Sequence, residues 1–307
     1  MQAKLIFVHA LSPLHAGTGQ GVGVIDLPIA REKATGIPYL PGSSLKGTLR
    51  DLCIDPKKLD VFGPETANAS DYAGSAQFSD QRLLLLPIRS LFGTFAWVTS
   101  PFLLQRFQRE AAETALTAQP STALPQPGNE QACVADTGCV IESAEAAQPK
   151  VILEDLDLAA APSASVMQWA DWLGKQLFPS PAGQEPSATV RDWRKALSAR
   201  LCVVPDDVLN FLLDTATEVT ARIKLLDDKK TVQKGGLWYE EALPAETVLS
   251  GLLVATEIKQ NGNPRVATAD IFRVVGSTII SSNRPRPVQL GGKATIGKGL
   301  CYVHLAQ

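Results

Sequence analysis

LHAGTGQGVGVIDLPIAREKATGIPYLPGSSLKGTLR, residues 14–50, decides how this chain is read. Its glycines let a backbone approach a ligand with no Cβ in the way. Pro41-Gly42 then breaks the chain, and Ser43 or Ser44 can cap a helix that runs to Leu52. Such a helix carries Lys46 and Arg50 four residues apart on one face, with two hydroxyls and unpaired amides at its start. Hydroxyls, amides and two cations suit a phosphodiester backbone. A capped helix with a solvated basic face accounts for the same residues.

Outward from this stretch, residues 1–11 alternate as a first strand, and 12–30 form a glycine-rich polar excursion. Residues 78–98 read as paired strands separated by a turn at Pro87–Arg89, and 99–110 as a helix begun by Ser100-Pro101. Residues 117–150, rich in Ala, Pro, Gln, Ser and Gly, read as an insertion or mobile loop with a short strand at Cys139–Glu142. Met167, Trp169, Leu173 and Phe178 have helical spacing, and a further helical piece is expected at Asp192–Ala199. Asp206 or Asp207 is expected to cap a helix ending near Glu218. VTARIKL and GGLWYEEAL, separated by DDKKTVQK, predict a long basic hairpin, and the last strands are expected at 271–280 and 299–305. This order predicts an α+β fold with a split β-α-β, ferredoxin-like core, since a doubly wound sheet needs regular alternation.

The bulk numbers exclude several classes. With 307 residues, 45% hydrophobic and 20% charged, the chain can bury a sizeable core and is not of disordered composition. Its richest apolar stretch, Leu83–Val98, is broken by Pro87 and Arg89, so no membrane span is expected; the N-terminal segment reads as a strand rather than a signal peptide, and the protein is expected to be cytoplasmic. Five scattered cysteines (Cys53, Cys133, Cys139, Cys202 and Cys301) match no zinc spacing and read as buried thiols. The net charge of −2 is unevenly spread. Residues 110–157 hold nine acids and the single base Lys150, leaving 28 bases against 22 acids elsewhere, and from Ile271 onward there are five bases and no acid. One part of the molecule can therefore face phosphates while another faces water or a protein partner.

LHAGTGQGVGVIDLPI and GIPYLPGSSLKGTLR together closely resemble the RAMP superfamily and, within it, the Cas-seven-type backbone subunit of type III-B (Cmr) CRISPR complexes. LLLLPIRSLFGTFAWVTSP (83–101), RIKLLDDKKTVQKGGLWYEEALPAETV (222–248) and LGGKATIGKGL (290–300) resemble further motifs of that family, in order. The resemblance spans most of the chain and weakens over 110–220. It implies one RAMP domain over 1–307: an RNA-recognition-like palm with a variable insertion around 110–190, finger elements, and a thumb hairpin around 222–241. It implies as partners a CRISPR guide RNA, target RNA, further copies of this chain, and the other RAMP, small and large subunits of an effector complex, with no membrane. It also implies a divalent-metal-dependent endoribonuclease that cuts target RNA at regular intervals, using Asp26 of VIDLPI. A non-catalytic, guide-binding scaffold is the alternative, and a histidine-based guide-processing RNase a more remote one.

The chemistry is reasonable on physical grounds. Attack by the adjacent 2′-OH needs in-line alignment, proton removal and charge stabilisation. Asp26 can act as base or hold a hydrated Mg²⁺ or Mn²⁺, though one carboxylate makes a poor metal cage; a plain loop cap also fits it. His15 can contact RNA or serve structurally. Arg222 and Lys224 on the hairpin arms suit a backbone clamp, although acids at its tip, Asp227 and Asp228, weaken that account. Tyr239 and Glu240 can approach a cut site or pack across strands. Lys293 and Lys298 lie in a glycine-rich loop that can cradle phosphates, or simply turn a hairpin. Gly299 after Lys298 excludes a P-loop, so no nucleotide hydrolysis is expected.

Overall fold

The computed structural model describes residues 2–19, 25–65, 67, 71–114, 123–141, 148–180, 183–226, 228–229, 231–260, 263–281 and 284–306. In chain order its elements are β1 (Gln2–Ala10), β2 (Tyr39–Leu40), α1 (Gly42–Leu52), α2 (Lys58–Phe62), β3 (Ala76–Phe78), β4 (Gln81–Arg89), β5 (Phe95–Thr99) and α3 (Pro101–Ala112). There follow β6 (Gln131–Val134), β7 (Lys150–Leu153), β8 (Leu156–Pro162), α4 (Ala164–Leu177), α5 (Ala188–Arg200), β9 (Leu201–Val203) and α6 (Asp206–Thr215). The chain closes with β10 (Glu218–Leu225), β11 (Val232–Ala242), β12 (Val248–Ala255), β13 (Lys259–Gln260), β14 (Asn263–Pro264), α7 (Thr268–Ile279), β15 (Ile280–Ser281), β16 (Arg284–Pro285), β17 (Pro287–Gln289) and β18 (Leu300–Leu305).

The centre of the main sheet runs β18-β1-β12-β4, with every neighbour antiparallel. Helix α1 lies between β1 and β4 in sequence, and α7 between β12 and β18. Each is thus a split β-α-β unit with one strand of the other unit inserted, which is the ferredoxin-like arrangement. Strand β1 is buried on both faces. Its Ile6, Val8 and Ala10 pack with Leu45 and Leu49 of α1 and Ile271, Val274 and Val275 of α7. Its Leu5 and Phe7 pack with Leu104 and Phe107 of α3 and Trp169 of α4 on the opposite side. A strand covered on both sides needs an unbroken apolar run, which LIFV at residues 5–8 supplies before the buried, hydrogen-bonded His9.

Several sequence expectations are revised. Residues 271–279 are helical, not a strand, and only Ile280 begins one: Ile271, Val274, Val275, Thr278 and Ile279 are buried at one-turn spacing, so packing on the sheet outweighs their β-branched character. Pro87 lies inside β4 opposite Trp97, and the turn falls after Arg89. Strand β12 pairs with β4 only as far as Leu85, leaving one edge of Pro87 unpaired where its missing N–H is tolerated. The 117–150 region contributes β6, which joins β9 and β8 to extend the palm sheet through β5-β9-β6-β8-β7; Glu142 lies outside the described residues. Glu110, counted among the acids expected to face water or a partner, is buried and ion-paired with Arg82. The Asp206 carboxylate accepts from the Phe102 amide at 3.0 Å and so serves the start of α3, while Pro205 precedes α6 without a side-chain cap. Ser100 caps α3 as expected, accepting from the Leu103 amide.

Helix α1 starts differently from the expectation. Pro41 is its N-cap residue, and Ser43 and Ser44 make no capping hydrogen bond. The Gly42 amide instead donates to the Asp80 carboxylate at 2.9 Å, which leaves both hydroxyls exposed in the first turn. A Cβ at Gly42 would collide with the Phe78 carbonyl oxygen and lie 2.6 Å from that of Ser79. Gly42→Ala is therefore expected to lower stability by about 1–2 kcal/mol, read by urea unfolding, because backbone rather than a flexible side chain must move.

Candidate nucleic-acid interface and cleavage site

Three separated sequence motifs meet at one cleft of about 390 Å³. Ala16 and Gly17 come from the first loop, Ser43, Ser44, Gly47 and Thr48 from α1, and Gly291 and Gly292 from the C-terminal loop. The two loops are joined across the cleft floor, the Gly292 amide donating to the His15 carbonyl at 2.9 Å. Gly291 has φ +69°, and a Cβ there would strike that same carbonyl. Two glycine-rich loops beside the exposed first turn of α1 present amides and hydroxyls together, a surface suited to phosphate oxygens. On the other side of α1, Lys46 lines a 500 Å³ cleft with Phe62, Tyr72 and Phe78. Arg50, one turn further on, is half-buried, and its Nε has no hydrogen-bond partner among the described residues.

Asp26 lies at the base of the hairpin formed by β10 and β11. The Leu27 amide donates to the Tyr239 carbonyl at 3.1 Å and the Glu241 amide to the Leu27 carbonyl at 3.0 Å, so this segment docks along β11 as a short parallel strand. The Tyr239 amide donates to Asp26 Oδ2 at 2.8 Å. That bond orients the exposed carboxylate, and Oδ1 has no hydrogen-bond partner among the described residues. Tyr239 itself is 39% exposed on the neighbouring strand.

Glu240 is turned the other way. It is 1% exposed, accepts from Trp238 Nε1 at 2.8 Å, and is ion-paired with Lys293 at 2.8 Å and Arg222 at 3.3 Å. Burial works to raise its pKa, but hydrogen bonds from Lys293, Trp238 and Arg222 prevail and hold it at about 2. The structure thus brings two cations expected to bind RNA onto a protein carboxylate, so neither is an unpaired phosphate clamp. Lys298 is 6% exposed and its Nζ has no hydrogen-bond partner among the described residues. Lys224 is exposed on β10. At the tip, Asp228 and Lys229 are exposed, whereas Asp227 and Lys230 lie outside the described residues.

His15 is buried. Its Nδ1 lies 2.6 Å from the Glu241 carbonyl, which makes Nδ1 the donor. A Cβ on Gly17 would lie 2.6 Å from His15 Nε2, so the ring is packed beneath the cleft wall rather than displayed for contact with RNA. The opposite face of the hairpin is apolar and open. Cross-strand pairs Ile223–Leu237 and Ala221–Tyr239 put exposed apolar side chains on one side, and beyond a register shift Leu225 and Val232 are exposed nearer the tip.

A sequence model of the RAMP superfamily matches residues 7–302. The chain belongs to the RAMP superfamily. It is 33% identical over 313 residues to the CRISPR system Cmr endoribonuclease Cmr4 of Pyrococcus furiosus, covering 100% of this chain and 97% of that protein. The crystal structure of oligomeric Cmr4 from Pyrococcus furiosus superposes with a TM-score of 0.70 at 25% identity, covering 100% of this chain and 98% of that one. A chain of the type III-B Cmr-beta complex bound to cognate target RNA matches with a TM-score of 0.68 at 22% identity, covering 99% and 97%. The last match concerns the fold alone.

Within this RAMP chain, the residues that hold the Asp26 loop were not singled out from sequence. Glu241 accepts from the Ile29 amide at 3.0 Å and pairs with Arg31 at 2.6 Å; Arg31 also donates to the Leu213 and Gly36 carbonyls. Glu32, six residues beyond Asp26, takes Arg106 of α3 at 2.9 Å and Arg82 of β4 at 3.4 Å. The available signal was the Glu240-Glu241 doublet within a strand: successive side chains point to opposite faces, so at least one carboxylate must meet protein. Among the described residues, no group of three or more His, Cys, Asp or Glu side chains could hold a metal ion, and no helix is long and apolar enough to cross a membrane.

Proposed function

We propose that this chain is an RNA-guided endoribonuclease and a backbone subunit of a type III-B effector complex, binding guide RNA and cutting complementary RNA at Asp26. The observation that carries the reading is the exposed Asp26 carboxylate at the base of a protruding hairpin, held among the described residues by one main-chain amide. The kinship with an endoribonuclease at 33% identity over the whole chain supports it. The cleft between the glycine loops and α1, with Ser43 and Ser44 exposed, takes the guide backbone; Lys46 and Arg50 of α1 supply positive charge beside it, and Lys224 adds an exposed cation on the hairpin. The apolar face of the hairpin takes RNA bases or a neighbouring copy, and repeated stacking sets the interval between cuts.

In the reaction, the 2′-oxygen attacks the adjacent phosphorus and its proton passes to the Asp26 carboxylate. The bond from phosphorus to the 5′-oxygen breaks and that oxygen takes a proton from solvent, leaving a cyclic phosphate and a 5′-hydroxyl. A divalent cation, Mg²⁺ or Mn²⁺, would supply charge stabilisation at the phosphate. Asp26 would be the carboxylate to hold it, because those of Glu240 and Glu241 are committed to protein donors. One protein carboxylate leaves most of the ligand shell to RNA and water. Tyr239 fixes Asp26 through its amide, and its exposed ring lies beside the cut site.

The test compares the isolated chain with the complex assembled on guide RNA, each given a complementary target. The assembled complex is expected to give regularly spaced cuts that a chelator suppresses, and the isolated chain to cut poorly. Guide binding is expected to weaken steeply with salt, since phosphate contacts release counterions. Strong guide-independent cutting by the isolated chain would contradict the assembly-dependent reading, and chelator-resistant cutting would remove the metal from it.

A further inference from the structure

Glu241 touches more of the proposed cleavage apparatus than any residue predicted from sequence. Its amide donates to the Leu27 carbonyl, beside Asp26, and its carbonyl takes His15 Nδ1 at 2.6 Å. Its carboxylate takes the Ile29 amide at 3.0 Å through Oε2 and Arg31 at 2.6 Å through Oε1. The side chain is 3% exposed, so these bonds face little competition from water. The loop is therefore held at two successive points just beyond Asp26. The main chain of β11 fixes Leu27, and the Glu241 carboxylate fixes Ile29 and Arg31 further along the same loop.

We infer that Glu241 is a positioning residue for cleavage: its carboxylate holds the Ile29–Arg31 segment so that Asp26 meets the scissile ribose in line. This rests on the proposed role of Asp26. The argument turns on precision, because a carboxylate displaced by about 1 Å loses roughly 100-fold in rate through misalignment alone. Arg31 is the second half of the clamp. Its guanidinium ties the Glu241 carboxylate to the carbonyls of Gly36 and Leu213, so the loop is braced against α6 as well as against the hairpin. The side chain and the main chain of Glu241 act on different contacts. Substituting the side chain leaves the links to Leu27 and His15 in place and removes only the hold on Ile29 and Arg31.

The experiment assembles the complex with Glu241→Gln, Glu241→Ala or Asp26→Ala. Single-turnover cutting of bound target is measured beside target affinity and the yield of assembled complex. Glu241→Gln keeps an oxygen acceptor for the Ile29 amide but loses the charge opposite Arg31; cutting is expected to fall about tenfold, and about 100-fold for Glu241→Ala. Target affinity and assembly are expected to stay near the parent values, a split that a purely structural role would not produce. Parent-rate cutting by Glu241→Ala overturns the inference, as does a loss of assembly and affinity in parallel with cutting for the isosteric Glu241→Gln. If Asp26→Ala itself cuts normally, the reading of Asp26 fails. If Asp26→Ala is inactive while both Glu241 variants cut normally, only the positioning role fails.

Discussion

Asp26→Ala is expected to leave the complex assembled on its guide while target cutting falls by about 100- to 10,000-fold, the range for losing a positioned acid–base group. Binding is spared because Asp26 is exposed and its one described bond, from the Tyr239 amide, is replaceable by water. The neighbouring Leu27 links to β11 run through the main chain and survive the substitution. Asp26→Asn preserves the shape and the acceptor for Tyr239 but neither the charge nor the base. It is expected to be as inactive as alanine, which separates proton transfer from loop geometry. The comparison is made by single-turnover kinetics on preassembled complexes, with guide binding measured in parallel.

The second large effect concerns stability. Glu240→Ala is expected to lower the unfolding free energy at neutral pH by about 2–3 kcal/mol, since it strips Arg222 and Lys293 of a buried partner. The figure lies below that of a fully buried pair because both cations are about a third exposed and regain water. The sign of its pH dependence follows from the depressed pKa of about 2, against an ordinary carboxyl at 4.5. Between these values the unfolded chain binds the proton that the folded chain excludes, so folding is favoured as pH rises. The contribution is fully present above about pH 4.5 and is lost as pH falls toward 2. The gap between parent and Glu240→Ala in urea unfolding should therefore narrow between pH 5 and 3. Glu110, raised by burial, and Glu32, lowered on balance although burial opposes this, titrate in both proteins and cancel in the difference. A gap that stays constant with pH would show that Glu240 stabilises by packing rather than by charge.

How much was legible follows from the kind of information each feature carries. The hairpin, the first strand and α3 were readable because local signals decide them: alternation, a polar connection, and Ser100-Pro101. The ferredoxin-like order was inferable from the sequence of elements. Helix α7 was misread because IFRVVGSTII carries both a strand composition and a helical spacing, and only the sheet beneath it selects the second. Pro87 was misplaced for the same reason: whether its missing N–H matters depends on where β12 stops pairing. At the site, Asp26 and the serines of α1 were visible as residue types in a motif. The pairing of Glu240 with Lys293 joins positions 53 residues apart, and that of Glu241 with Arg31 spans 210, so neither left a local trace. Two of the cations counted as phosphate ligands, Arg222 and Lys293, were therefore already spoken for within the protein.

The most direct test assembles complexes from defined mixtures of parent and Asp26→Ala chains on one guide, and maps every cut on a complementary target. If each copy carries its own site, all cuts weaken in proportion to the fraction of variant, keep their spacing, and vanish when every copy is Asp26→Ala. Cuts that persist at full strength in the all-variant complex would contradict the account and leave this chain as a guide-binding scaffold.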